Sequence, residues 1–145
     1  MRWCLALLLL ALAGSAHAGN VDPLDTSRDF AGKTLSGVAF LPQTVPTPNP
    51  ATGTPSLKTV MFQAYLQADG TAQVRSWDTL TDRYTPIATE RWHGSGDQLC
   101  LTVPGFALPG ELCLQLHVWG PEFAGTGVNH GGMVKGDVQP GSLLR

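Results

Sequence analysis

The clearest hydrophobic pattern in the chain is a strict alternation on either side of a Pro-Gly-rich turn. Leu99, Leu101 and Val103 precede it, and Leu112, Leu114, Leu116 and Val118 follow it. Cys100, Thr102, Glu111, Cys113, Gln115, His117 and Trp119 take the intervening positions. Side chains alternate across a strand, so this spacing predicts two half-buried strands and not a helix. In an antiparallel pair the residue numbers of partners have a constant sum. Setting Cys100 against Cys113 sets Leu101 against Leu112 and Leu99 against Leu114. One register therefore sorts every Leu to one face and both cysteines to the other, and a slip by one residue would mix the faces. Directly opposed cysteines have the Cα separation that a disulfide requires, so a Cys100–Cys113 bridge is predicted; the alternative is two free thiols.

The same parity argument reads a second hairpin around Ala68-Asp69-Gly70. A two-residue Asp-Gly turn would mix polar and apolar side chains. A three-residue loop with Gly70 left-handed puts Phe62, Ala64, Leu66, Ala72 and Val74 on one face. Met61, Gln63, Tyr65, Gln67, Gln73, Arg75 and Trp77 then take the other. Thr34 to Leu41 reads as a first strand, and Ile87 to His93 as another. Gly94-Ser95-Gly96-Asp97 is the turn after it. Pairing His93 with Gln98 sets Trp92 beside Leu99 on the core face, with Arg91 and His93 on the face of Cys100. Phe123 to Val128 and Met133 to Val138 form short closing strands around Asn129-His130-Gly131-Gly132. Thr79 to Pro86 reads as a connector, and residues 19–31 as a polar lead-in with at most one helical turn. The expected class is all-β: an antiparallel meander of about seven strands, closing into a small up-and-down barrel or folding as a β-sandwich.

Two segments stand outside this pattern. Residues 1–18 have a positive Arg2, a short apolar run and the small-x-small triplet Ala16-His17-Ala18, the form of a secretory signal peptide. The run is too short to span a membrane, and Cys4 lies before it, not after, so no membrane or lipid anchor is expected. Loss of this leader removes Cys4 and leaves Cys100 and Cys113, an even pair suited to an oxidising compartment. The expectation is a periplasmic or secreted protein whose mature part, residues 19–145, is a single β domain. The second segment is the stretch 42–55, which has five prolines in fourteen residues. Proline cannot donate to a ladder, so this is a long loop. It is also where a flap or a docking segment would sit.

Composition narrows the function classes. The net charge is −2, one unit more negative without Arg2, and it is spread evenly. With no basic patch, neither nucleic acid nor an anionic membrane surface is an expected partner. Abundant Gly and Pro suit a β protein with many turns.

Three pieces of the sequence resemble a loose group of small exported bacterial proteins with a lipocalin-like (calycin-like) barrel. They are Gly32-Lys33-Thr34-Leu35-Ser36-Gly37 opening the first strand, Asp69-Gly70-Thr71 at the central turn, and Trp92 followed by Gly96-Asp97-Gln98-Leu99-Cys100-Leu101, with Cys113 in the next strand. The Gly-x-Trp signature of true lipocalins is absent near Gly32. The resemblance implies a lipocalin-like barrel. It implies no catalytic residues, because the group has no shared set.

Candidate chemistry is sparse. His93, His117 and His130 share no usual ligand spacing, so no metal site is predicted, and His130 and Met133 are not read as a copper pair. Ser95 lies in His93-Gly94-Ser95-Gly96, which lacks the first glycine and the strand-to-helix context of a nucleophile elbow. Asp78, Asp82 and Asp97 read as turn residues. No cofactor and no catalytic residue is predicted. Tyr65, Arg75, Trp77, Arg91, His117 and Trp119 fall on the face opposite the leucines and are the candidate binding residues. The expectation is a non-enzymatic exported barrel that binds a small ligand or an envelope protein. The alternative is a secreted inhibitor or accessory subunit of an envelope enzyme.

Overall fold

A computed structural model describes residues 22–42 and 57–144. The leader over 1–18, Cys4 with it, and all of the Pro-rich stretch 42–55 except Pro42 lie outside the described residues. The elements in chain order are α1 (Thr26–Asp29), β1 (Lys33–Pro42), β2 (Leu57–Leu66), β3 (Thr71–Asp78), β4 (Arg83–Tyr84), β5 (Ala88–Ser95), β6 (Gln98–Leu101), a 3-10 turn (Pro104–Phe106), β7 (Leu112–Trp119), β8 (Glu122–Gly127) and β9 (Met133–Pro140). All pairings are antiparallel. The strands run β2-β1-β9-β8-β7-β6-β5-β3, and a further β2–β3 pairing joins the two ends. That pairing makes a closed barrel and rules out the sandwich. Eight strands close it, against about seven expected.

Both hairpins take the registers expected of them. Cys100 faces Cys113, with Leu99 on Leu114 and Leu101 on Leu112, and the disulfide is formed across a Cα separation of 4.0 Å. In the second hairpin Leu66 faces Ala72 and Phe62 faces Ser76. Gln67 and Thr71 close a three-residue loop through Gln67 N–H donating to Thr71 O at 2.8 Å. Gly70 has φ +83, a conformation that any side chain would strain.

Two expectations need correction. The β5–β6 hairpin pairs Ser95 with Gln98 and His93 with Cys100, not His93 with Gln98. The turn is the shorter Gly96-Asp97, with Gly96 at φ +58. The shift is by two positions in the sum, so faces are preserved and Trp92 meets Leu101 instead of Leu99. The segment Thr79–Pro86 is also more than a connector. Its residues Arg83 and Tyr84 pair with Asp78 and Trp77, along the β3 edge that β5 occupies further on. From Trp77↔Tyr84 to Val74↔Ala88, three steps on β3 match four on the other chain. One extra residue is therefore bulged near Pro86, where proline has no N–H to give the ladder.

The leucine face fills the barrel. Leu35, Phe62, Leu66, Val74, Leu99, Leu101, Leu112, Leu116 and Phe123 are all buried. Trp92 is buried beside them, and its indole N–H donates to Gln67 O at 2.8 Å. Val118, expected on this face, sits at the rim and is 38% exposed. Both ends are stoppered. At one end the 3-10 turn inserts Phe106, whose ring meets Phe62 edge-on at 5.3 Å between centroids. Gly105 lies over Ser76, where a Cβ would fall 1.9 Å from Ser76 Oγ. At the other end Asp25 caps α1, accepting from Ser27 N–H. The helix lays Phe30 and Thr26 on the barrel, fully buried. Thr26 N–H donates to Gly96 O at 2.7 Å, and its hydroxyl donates to Gln98 O. Midway along β1 the ladder tightens at Gly37 and Gly136, which face each other. A Cβ on Gly136 would stand 2.1 Å from Ser36 O, so only glycine lets the two backbones approach this closely.

Candidate functional site

The six candidate binding residues share the outer face, as the parity reading placed them, but they do not form one patch. Arg75 and Trp77 lie on β3, towards the end closed by the 3-10 turn. Tyr65 on β2, Arg91 on β5, and His117 and Trp119 on β7 lie towards the α1 end, on strands that are not mutual neighbours. Trp119 is 51% exposed, and its indole N–H donates to Glu122 Oε2 at 2.5 Å.

Arg75 and Trp77 are joined by a residue that the sequence reading passed over. Tyr84, on the short β4, meets Trp77 edge-on at 5.1 Å and takes the Arg75 guanidinium over its ring at 4.5 Å. Arg75 Nε also donates to Gln63 Oε1 at 2.8 Å. Arg-over-Tyr stacking of this kind stabilises by roughly 0.5–1 kcal/mol at an exposed site. The sequence carried no periodic signal for Tyr84, since β4 is only two residues long and is flanked by Asp82 and Pro86. An open cleft of about 280 Å³ adjoins Trp77 and is lined also by Lys58, Ser76, Asp78, Leu80 and Thr85.

The loop that forms one wall of this cleft is organised. Asp78 accepts from Leu80 N–H at 2.9 Å and from the Thr81 hydroxyl at 3.0 Å. These donors, the Leu80 amide first, hold the Asp78 carboxyl below its ordinary pKa. The result is a fixed turn that points Leu80 into water, 95% exposed. Four more of the large exposed apolar side chains lie at the same end, while Met61 sits midway along β2 and Val118, Trp119 and Leu143 lie towards the α1 end. Leu57, 59% exposed, opens β2; Ile87 precedes β5; Val128 follows β8; Met133 opens β9. Pro42 and Leu57, the last and first described residues around the Pro-rich stretch, are paired at this rim.

At the α1 end a larger open cleft of about 740 Å³ lies between the lead-in and β7, lined by Asp22, Leu24, Asp29, Asp97 and His117 among others. Two of its three carboxylates, Asp97 and Asp29, have structural partners. Asp97 accepts from Gln115 Nε2 at 3.0 Å. Asp29 is held to about 2 by Arg28 and by the Asp25 backbone N–H. Ser95 stands at the end of β5, exposed, beside the two-residue turn.

Compared with known proteins, the chain matches no family model, no curated protein and no solved structure.

Proposed function

We propose that this protein is an exported, non-enzymatic barrel of the lipocalin-like kind that binds a protein partner through the rim closed by the 3-10 turn, and not a small ligand in its interior. The observation that carries this reading is the distribution of apolar surface. The interior is filled by Leu, Phe and Trp side chains and stoppered at both ends. Meanwhile Leu57, Leu80, Ile87, Val128 and Met133 face water around one rim. Grouped exposed apolar side chains mark interaction surfaces. The stacked Arg75, Tyr84 and Trp77 beside them are the residue types that dominate protein interfaces. The leader-like residues 1–18 and the cross-strand disulfide support a periplasmic or secreted location. The inhibitor alternative draws on the same rim, since the Asp78-braced loop presents Leu80 on a rigid support.

Site-specific photocrosslinking in the protein's own envelope tests the reading. A crosslinker at position 128 should trap a discrete partner that Leu80→Asp abolishes, and one at position 139 on the opposite end should not. Equal trapping at both ends, or none at the rim, overturns it. So does uptake of an apolar fluorescent probe that leaves the rim indifferent and is lost when the interior is overpacked.

A further inference from the structure

The outer face of β5, β6 and β7 carries three directly opposed residues in one cross-strand row: His93, Cys100 and Cys113. Glu111, just before β7, sends its carboxylate back over this row. Its two oxygens lie 3.1 and 3.2 Å from His93 Nε2, and Oε1 is 3.9 Å from Cys113 Sγ. A ring nitrogen of His93, Cys100 Sγ and a Glu111 oxygen all lie within 4.8 Å of one another. Asn129 fixes the arrangement from behind, donating to Glu111 O at 2.9 Å and accepting from Cys113 N–H at 2.8 Å. While the sulfurs are joined, neither is a thiolate, and the row offers only an imidazole and a carboxylate.

We propose that reduction of the Cys100–Cys113 bridge converts this row into a metal site for a tetrahedral d¹⁰ cation such as Zn²⁺, with two thiolates, the His93 imidazole and the Glu111 carboxylate as its four ligands. This donor set, two sulfurs with one nitrogen and one oxygen, suits a borderline-soft cation and disfavours Mg²⁺ or Ca²⁺. The barrel supplies the preorganisation. β6 is paired on both sides, so the strands hold Cys100 and Cys113 opposite one another after the S–S bond is gone. The chemistry balances with a dithiol reductant. It delivers two electrons and two protons to the bridge, is itself oxidised to a disulfide, and leaves two thiols; the cation then displaces the two thiol protons. The same cysteines thus lock the hairpin in an oxidising compartment and bind metal where a dithiol reduces them.

Cobalt(II), a spectroscopic stand-in for Zn²⁺, tests this on the mature chain. Protein reduced and freed of reductant should bind one Co²⁺ with a thiolate-to-cobalt charge-transfer band and the intense visible bands of a tetrahedral site. Zn²⁺ should displace it and raise the Tm of the reduced protein. The oxidised protein should show neither band. His93→Ala and Glu111→Gln should each weaken Zn²⁺ binding by about tenfold or more, since a missing donor costs at least what a missing support does. Should reduction alone unfold the barrel, Zn²⁺ must restore it, because metal binding to such a site is coupled to folding. Binding by the oxidised form equal to that of the reduced form overturns the proposal. So do unchanged affinities in both single variants, or a reduced protein that Zn²⁺ fails to stabilise.

Discussion

Replacing Phe106 by Ala tests whether the 3-10 turn is a stopper or a surface ornament. The ring is buried, 3% exposed, and packs edge-on against Phe62. Truncating a core Phe to Ala costs about 3–5 kcal/mol, through lost transfer energy and the void left behind. About 0.5–1.5 kcal/mol of this is the geometry of the ring pair. The site is at a barrel mouth, where Lys58 Nζ already reaches Gly105 O at 3.0 Å from outside. Partial collapse is easier there than mid-barrel, which favours the lower figure of about 3 kcal/mol. Domains typically hold only about 5–15 kcal/mol in total, so this is a large share. At roughly 3–5 °C per kcal/mol for this size, the Tm should fall by about 9–15 °C. Urea unfolding of oxidised protein, followed by tryptophan fluorescence, should show a lower midpoint with an unchanged slope. Phe106→Leu should lose clearly less. Leu80→Ala, on the same rim but solvated, should change stability by no more than about 0.5 kcal/mol. A dry void lined by Phe62 and leucines should also take up benzene and recover part of the Tm. A Phe106→Ala loss below about 1 kcal/mol would refute the stopper argument.

Three further outcomes are expected. Cys100→Ala with Cys113→Ala should lower stability by roughly 3 kcal/mol, from the chain entropy of a loop with 13-residue separation, and thiol labelling of the denatured, unreduced wild type should find neither cysteine free. Gly136→Ala should destabilise by about 2 kcal/mol or more or prevent folding, because its Cβ would meet backbone atoms that cannot yield; soluble protein with a wild-type midpoint would contradict this. The Asp29 carboxyl is depressed from 3.8 to about 2 in the folded state, chiefly by the Arg28 side chain. Its stabilisation is therefore present above pH 3.8 and lost as the pH falls towards 2. Acid unfolding of Asp29→Asn should be correspondingly shallower in that window, and parallel curves for variant and wild type would sink the linkage.

Alternation decided which face each residue takes, and a second constraint decided the register: the opposed cysteines set Leu101 on Leu112, and the three-residue loop around Gly70 set Leu66 on Ala72. The β5–β6 turn was misplaced because Trp92 is the one buried anchor of β5. A shift of two preserves its face, so alternation has no power to separate the two registers. Tyr84 was missed because a two-residue strand beside a proline bulge has no period to detect. The outward direction of the candidate binding residues was legible, since the leucine face had to be the core. Their separation into distinct patches was not, because it depends on which strands become neighbours when a barrel closes. The meeting of His93 with Glu111 needed both the corrected β5 register and the return of the chain through Asn129.

Closure also sets a timetable. β1 is completed by β9, and the Thr34 hydroxyl donates to Gly141 O across 107 residues of sequence. Until the last strand has been made, β1 and β8 each present an open edge, the kind that pairs with other chains. Long-range pairings of this sort form late and slowly, because their loop entropy is lost before any contact repays it. The barrel therefore remains open until β9 has been made. A machine that threads unfolded polypeptide has that whole interval in which to engage the chain, and a chaperone would have to guard the same two edges.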